Sequence, residues 1–420
     1  MNKNLTIGII GLGYVGFPLA CLFAKKYKVI GFDLDSRRVT ELNSGVDRTE
    51  EVCPEKHEAA LRNGMRCTTE QADLSVCSVY IVTVPTPVDD HHHPDLSHLE
   101  RASRTVGNVI SQGDIVIYES TVYPGATEEF CAPIIEETSG LELNKGFYLG
   151  YSPERINPGD KEHTVENIRK ITSGSTPETA TAVDVLYDSV LLKGTHKVTS
   201  IRVAEAAKIM ENTQRDVNIA FMNEMAVVLN AIGVCIQDVI DAAGTKWNFL
   251  KFSPGLVGGH CIGVDPYYLI EKAKHAGVYP RLAAEARRVN ESMGRYIADR
   301  IIRCMNLNGR PAKDAKILLL GFTFKENCRD IRNTKVAEIY RQLTAYTPYI
   351  DVLDPLADME ATLGEYGIKT VDKVGLLRYG AYDAVVHCVS HDCLKSLDLN
   401  SLCGNGGIIF DTKGTLHPPP

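Results

Sequence analysis

The segment Gly258-Gly259-His260-Cys261-Ile262-Gly263-Val264-Asp265-Pro266-Tyr267-Tyr268 carries the densest reactive chemistry in the chain. Its paired glycines permit backbone dihedrals and close approaches that a Cβ would forbid. Cys261 follows within two positions, and Asp265 stands four residues beyond it. A thiol on a tight turn can attack a carbonyl carbon where its surroundings favour the thiolate. A buried, inert cysteine on a structural turn is the competing reading, and the chain's 12 cysteines give that reading weight.

A second centre lies at the amino-terminal end. The apolar run Leu5–Ile10 leads into Gly11-Leu12-Gly13-Tyr14-Val15-Gly16, then a helical stretch from Phe17 to Lys26, then the run Lys28–Phe32 ending in Asp33. Strand, glycine turn, helix, strand and acid in that order make a dinucleotide site. Gly11 and Gly13 shape the turn and admit a pyrophosphate, while Gly16 packs helix on strand. The helix N-terminus offers free N–H groups to the phosphates. Asp33 would accept from the adenosine ribose hydroxyls, favouring NAD over its 2′-phosphorylated form, although Arg38 could itself greet a phosphate.

Other elements must present these groups. Val79–Val84 ends in Pro85-Thr86-Pro87, Asp114–Tyr118 in Glu119-Ser120-Thr121, and Gly146–Tyr151 in Ser152-Pro153-Glu154-Arg155-Ile156-Asn157-Pro158-Gly159. Strands alternating with helices predict a parallel, doubly wound sheet, whose ligands lie beyond the carboxyl ends of the strands. Thr86, Thr121 and Glu154 would then face the cofactor crevice. From Ser200 to about Gly233 the chain has neither glycine nor proline, which predicts one long helix. Lys208 and Asn212, one turn apart on it, could present an ammonium and an amide to a developing oxyanion, or simply a solvated face. Its second half, Ile219 to Leu229, is apolar nearly all round and should be buried, in a core or against another subunit. A further helix is expected from Arg281 to about Asn306. Runs at Lys316–Phe322, Tyr349–Asp354, Ala381–His387 and Gly407–Asp411 predict a second parallel sheet. Its first strand leads into the cation-rich Thr323–Asn333, suited to an anionic ligand or to solvent.

Length, composition and charge set the bounds. A chain of 420 residues implies two or three domains, and 44% hydrophobic with 23% charged residues is ordinary for a globular protein. A net charge of −8 argues against a general nucleic-acid binder. No secretory signal and no membrane span are expected. The cysteines form no CxxC pair, so free thiols in a reducing cytoplasm fit best. His91-His92-His93 and His98 suggest a solvated loop, and no metal site is expected.

These motifs resemble the UDP-glucose/GDP-mannose dehydrogenase family, in matching order across nearly the whole chain: the glycine turn, VPTP, ESTVYPG, SPERINPG, the Lys208–Asn212 helix, GGHCIGVDPYYL and GFTFKENCRDIRN. The wording is most similar to the branch acting on UDP-N-acetylhexosamines. Gly263 stands where many relatives have proline, with Cys261 and Asp265 still in register. The resemblance implies an α/β fold of two Rossmann-like parallel-sheet domains joined by a central helical domain with one long helix. The expected divisions are a NAD-binding domain at 1–198, a central dimerisation domain with the cysteine loop at 199–305, and a UDP-sugar-binding domain at 306–420.

The implied reaction is a four-electron, NAD-dependent oxidation of sugar C6, with Cys261 as nucleophile. Lys208 and Asn212 would stabilise negative oxygen, and Asp265, Thr121 or Glu154 would position or deprotonate water. Gly11, Gly13, Tyr14, Val15, Gly16, Asp33, Arg38, Pro85, Thr86, Thr121 and Arg332 would hold the cofactor. Glu154, Arg155, Lys208, Asn212, Gly258 and Lys325 would hold the UDP-sugar. A cytoplasmic homodimer built on the long helix is also implied. Two rivals stand against this reading. A two-electron β-hydroxyacid dehydrogenase would yield one NADH per substrate, and a nucleotide-binding sensor would tolerate loss of Cys261.

Overall fold

The computed structural model describes residues 5–89, 91–156 and 164–413. Asn157, Pro158 and Gly159 of the SPERINPG segment lie outside the described residues. The chain divides into two compact units, Met1–Glu211 with Tyr267–Val278, and Asn212–Pro266 with Tyr279–Pro420.

The first unit is built on strands β1 (Thr6–Ile10), β2 (Lys28–Phe32), β3 (Arg66–Thr68), β4 (Val79–Val82), β5 (Asp114–Tyr118), β6 (Phe147–Tyr151), β7 (Lys170–Gly174) and β8 (Thr195–Lys197). Their order is β3-β2-β1-β4-β5-β6-β7-β8, and the order reverses between β1 and β4, where a doubly wound sheet opens its crevice. The inner strands β1 and β4 are covered on both faces and are correspondingly apolar. Ile7 and Ile9 of β1 pack with Phe17 and Leu19 on one side, while Ile10 packs with Tyr80, Val82 and Tyr118 on the other. Two strands depart from the common direction: β7 runs antiparallel to β6, and β8 pairs parallel with β7. An antiparallel partner needs no helical crossover.

The second unit contains β9 (Ile317–Leu320), β10 (Ile350–Leu353), β11 (Tyr382–His387) and β12 (Cys403–Asp411) in the order β10-β9-β11-β12, all parallel. Leu318 and Leu320 face one apolar cluster, Ile317 and Leu319 the other. The helix Arg281–Leu307 carries Ile297, Ile301 and Met305 into this core.

The uninterrupted segment forms a helix of 31 residues, Ile201–Ala231, stopped by Gly233 at φ +75°. The expected burial of its second half is not met within the chain, because Phe221 is 57% and Val228 46% exposed. Among the described residues no helix is long and apolar enough to cross a membrane.

Glu205, fully buried on this helix, holds the loop after β5. Its carboxylate accepts from the backbone N–H groups of Gly125 and Thr127 at the start of a π-turn, Thr127–Cys131. Burial pushes Glu205 up to about 7 although those donors favour the carboxylate. An acid raised in the fold binds protons more tightly there than in the unfolded chain. Its contribution to stability therefore declines as pH climbs from the ordinary 4.5 through about 7. Glu205→Ala should lower unfolding stability by about 2–4 kcal/mol, since it strands two buried donors. It should also remove that part of the pH slope. Arg202→Ala, which deletes an exposed pair with Glu129, should change stability by less than about 1 kcal/mol. Urea unfolding of the full chain at several pH values checks both.

Candidate active site

The glycine turn of the first unit is held from three sides. Gly11 has φ +93° and donates to Phe32 O at 2.8 Å, tying the turn to β2. A Cβ on Gly16 would lie 1.8 Å from Gly11 O and 2.4 Å from Thr83 Oγ1, so only glycine fits there. Thr83 Oγ1 donates to Gly11 O at 2.7 Å, a brace from β4's end that sequence reasoning missed, because nothing in its wording marks a partner 72 residues away. Gly13, by contrast, is open: among the described residues, and beyond its chain neighbours, no atom lies within 4 Å of where a Cβ would stand.

Asp33 closes the turn. Its Oδ2 accepts from Leu12 N at 2.7 Å and its Oδ1 from Asp35 N at 3.0 Å, which leaves lone pairs for further donors. Arg38 points inward and is buried. Its Nε donates to Leu12 O at 2.9 Å, its Nη1 lies 2.8 Å from Asp47 Oδ1, and its guanidinium covers the Phe17 ring at 5.3 Å. The helix Gly16–Phe23 begins with no side-chain cap, leaving its first N–H groups free of one. An open glycine, an uncapped helix start and an acid at the end of β2 fit a dinucleotide.

The loops after β4 and β5 are laced together. Thr86 Oγ1 donates to Thr121 O at 2.7 Å, and Ser120 Oγ donates to Val84 O at 2.6 Å, on either side of Pro85. After β6, buried Glu154 accepts from Arg155 N at 2.6 Å and from Ile156 N through Oε1. Its Oε2 has no hydrogen-bond partner among the described residues and lies 3.8 Å from Lys170 Nζ. Lys170 is fully buried, 2.6 Å from Glu119 Oε2, and Tyr187 donates to the other Glu119 oxygen. Burial pushes Glu119 up to about 7 against the pull of Lys170. The Glu119–Lys170 pair was not expected from the sequence, where each reads as an ordinary strand residue. Arg155 is occupied by Glu211, at 2.8 Å from Nη2, and by Arg169 O. Lys208 is buried on the long helix of the same unit.

The second unit carries the cysteine turn. Val264 N and Asp265 N both donate to Cys261 O, at 3.0 and 2.8 Å, so the thiol-bearing residue leads directly into the helix Asp265–His275. Asn212 Nδ2 donates to Asp265 Oδ2, fixing a carboxylate that is almost wholly buried. Gly258 has no room for a side chain, since a Cβ would lie 2.7 Å from Asn333 O. Lys325 stands over the Phe324 ring at 5.5 Å, and Arg332 grips Asp330 through Nε and Nη2 at 2.9 and 2.6 Å. The boundary between the units falls on the long helix, with Lys208 in the first and Asn212 in the second.

Exposure sorts the thiols. None of the twelve cysteines forms a disulfide. Burial pushes Cys21, Cys67, Cys77 and Cys131 up to about 12, where no thiolate forms at neutral pH. Cys261 is half-buried on its glycine turn. His92 stacks flat on Tyr267 at 4.4 Å, and among the described residues no group of three or more His, Cys, Asp or Glu could hold a metal ion.

Three family models match in sequence order. The NAD binding domain of the UDP-glucose/GDP-mannose dehydrogenase family covers residues 5–191, the central domain 202–292 and the UDP binding domain 318–418. The UDP-N-acetyl-D-glucosamine 6-dehydrogenase of Pseudomonas aeruginosa is 51% identical, over 98% of this chain and 97% of the relative. The enzyme of the same description from Salmonella typhi is 48% identical over 98% and 97%. Among solved structures, the UDP-D-ManNAc dehydrogenase of Pyrococcus horikoshii superposes with a TM-score of 0.90 at 32% identity, over 99% of this chain and 97% of that one. The chain belongs to the UDP-glucose/GDP-mannose dehydrogenase family.

Proposed function

We propose that this protein oxidises C6 of a UDP-N-acetylhexosamine, N-acetylglucosamine or N-acetylgalactosamine, to the uronate, as a precursor of surface polysaccharide. The observation that carries the reading is the cysteine turn: a half-buried thiol leads into a helix whose first carboxylate is held by an amide of the long helix. Two relatives near 50% identity are UDP-N-acetyl-D-glucosamine 6-dehydrogenases, which favours N-acetylglucosamine. Bound NAD would accept a hydride from C6 in each of two oxidations.

The chain's own groups supply the rest. After the first oxidation the sugar carries an aldehyde, and Cys261 Sγ adds to it, which restores a tetrahedral carbon bearing hydrogen. The second oxidation leaves a thioester on Cys261, and water releases the carboxylate and frees the thiol. Lys208 brings a positive charge to the negative oxygen of these steps. Asn212 uses one amide N–H on Asp265 and keeps the second for that oxygen. Asp265 or Glu154, with Thr121, orients or deprotonates the water. Gly11, Gly13, Tyr14, Val15, Gly16, Asp33, Pro85 and Thr86 hold the cofactor, and Arg38 acts beneath them by bracing the turn. Arg332 would add a cofactor contact, while Arg155, Gly258 and Lys325 serve the UDP-sugar. The exposed Phe221 and Val228 support a homodimer through the long helix, and twelve cysteines without a disulfide support a reducing cytoplasm.

Purified protein with NAD and a panel of UDP-sugars tests the activity. Two NADH per molecule of UDP-N-acetylglucosamine is expected, with slower turnover of the N-acetylgalactosamine, N-acetylmannosamine and glucose compounds. One NADH per sugar with a ketone product would reject the reading. Cys261→Ser should lower acid formation by more than about 10³-fold while NAD affinity holds. Full acid production by that variant rules out the covalent route.

The glycines of the cofactor turn separate binding from folding. Gly13→Ala places a methyl in open space, so its melting temperature should match the parent while NAD binding weakens by about tenfold or more. Gly16→Ala forces backbone apart and should lower the melting temperature as well. Calorimetric NAD titration beside thermal unfolding distinguishes the two.

A further inference from the structure

The direction of β7 places a cation where Glu154 stands. In the antiparallel pair Gly150 faces Gly174 and Tyr151 faces Ser173, so Glu154, three residues further on, falls opposite Lys170, three residues back. Residues directly opposed in such a pair carry their side chains on one face. A parallel strand would have set Lys170 beside the start of β6, away from Glu154. Lys170 is fully buried. Its Nζ lies 2.6 Å from Glu119 Oε2, donates to Pro153 O at 3.2 Å and stands 3.8 Å from Glu154 Oε2. Tyr187, on the helix Pro177–Asp188, donates to the other oxygen of Glu119, and its ring lies 5.4 Å from the ammonium. Glu154 is tied to the same cluster through its backbone, donating from N to Glu119 O at 3.4 Å. Its Oε1 is engaged by the N–H groups of Arg155 and Ile156, whereas Oε2 is buried with no hydrogen-bond partner among the described residues. The Arg155 guanidinium is occupied by Glu211 and Arg169 O.

A carboxylate oxygen buried without a donor is costly unless a charge of opposite sign stands close. We propose that Lys170 is a positioning residue for Glu154: the ammonium shared by two glutamates keeps Glu154 charged and fixed, and Glu119 sets how much of the ammonium's field Glu154 receives. This rests on Glu154 acting on the water of the proposed reaction. With both glutamates ionised the cluster carries one negative charge in excess, and burial pushes Glu119 up to about 7. The signs of two perturbations then differ. With Glu119 made neutral, the whole field of Lys170 falls on Glu154 and favours its carboxylate. With Lys170 removed, Glu119, the more deeply buried acid, takes up a proton, and Glu154 loses its cation.

The test uses the full chain without ligand, labelled with carbon-13 at the glutamate side-chain carboxyls. Glu154→Gln and Glu119→Gln assign the two signals, which are followed against pH by NMR. Glu119→Gln should lower the Glu154 midpoint by about one pH unit or more. Lys170→Met should raise it, by a smaller step because the proton on Glu119 removes a neighbouring negative charge. The double variant should match Lys170→Met, since Glu119 is neutral in both. The acid limb of uronate formation should move in the same opposite directions, while KM for UDP-N-acetylglucosamine stays within about twofold. A merely structural brace would lower stability in both single variants and shift neither midpoint. Shifts of one sign, or a Glu154 signal that neither variant moves, overturn the proposal. Should Lys170→Met fail to fold, the double variant, which buries no unpaired acid at this place, stands in for it. Opposite shifts in a protein that forms no uronate reject the proposed reaction and keep the coupling. Normal uronate formation with unmoved signals rejects the coupling alone.

Discussion

The ring of Phe324 occupies the space in which Gly259 would carry a side chain. A Cβ there would lie 2.8 Å from the ring, and the backbone already has φ +79°. Two separate penalties, steric and conformational, thus forbid any other residue. Because the turn can press against the Phe324–Asn333 segment, Gly259 and Arg332 share a backbone hydrogen bond and Asp330 comes within reach of His260. The position of the thiol depends on this contact more than on its own neighbours in sequence. The cysteine turn carries no regular secondary structure until Asp265, so packing must fix what a helix or strand would otherwise fix.

Beneath the turn lies a buried polar brace of the same kind. Arg287, almost wholly buried, donates to Asp216 at 2.6 Å and also pairs with Glu291, which in turn pairs with Lys335. Asn290 donates to the same Asp216 oxygen at 2.7 Å and Asn223 donates to Asn290 at 2.8 Å. Such pairs add little net stability over an apolar core of equal volume, because desolvation offsets most of the attraction. Breaking one, however, strands a charge. The consequence is registry: the helix Arg281–Leu307 can dock on the long helix in few ways, and Gly255 is drawn in by Asn223 at 2.8 Å. In the other unit Glu119, Lys170 and Tyr187 play the same part beneath Glu154.

Much of this was legible in the sequence because the relevant signals are local. Glycine spacing followed by a helix and an acid defines the cofactor turn within thirty residues, and an unbroken run without glycine or proline defines the long helix. The strands buried on both faces announced themselves as apolar runs. What escaped notice was long-range. Thr83, Glu205 and Lys170 look unremarkable in place, yet each satisfies a buried group 51 to 80 residues away. Arg38 illustrates a subtler limit. Its position after Asp33 suggested a phosphate contact, whereas its hydrogen bond to Leu12 O and its pair with Asp47 draw it under the turn. The antiparallel β7 had no signal of its own, since a short apolar strand reads alike in either direction.

Twelve cysteines pose a selection problem that burial resolves. Desolvation raises a thiol by disfavouring the charged form, so a cysteine in the core is protected from oxidation and alkylation by the environment that makes it useful for packing. Cys21 and Cys67 fill the space around the first helix and β3, and Cys388 closes the core beside β11, each held as the neutral thiol. A nucleophile needs the opposite: partial exposure for access, and a cation to offset whatever desolvation remains. Cys261 has the exposure, half-buried on its glycine turn. An ammonium from another element would have to be brought to the sulfur by folding or by ligand binding.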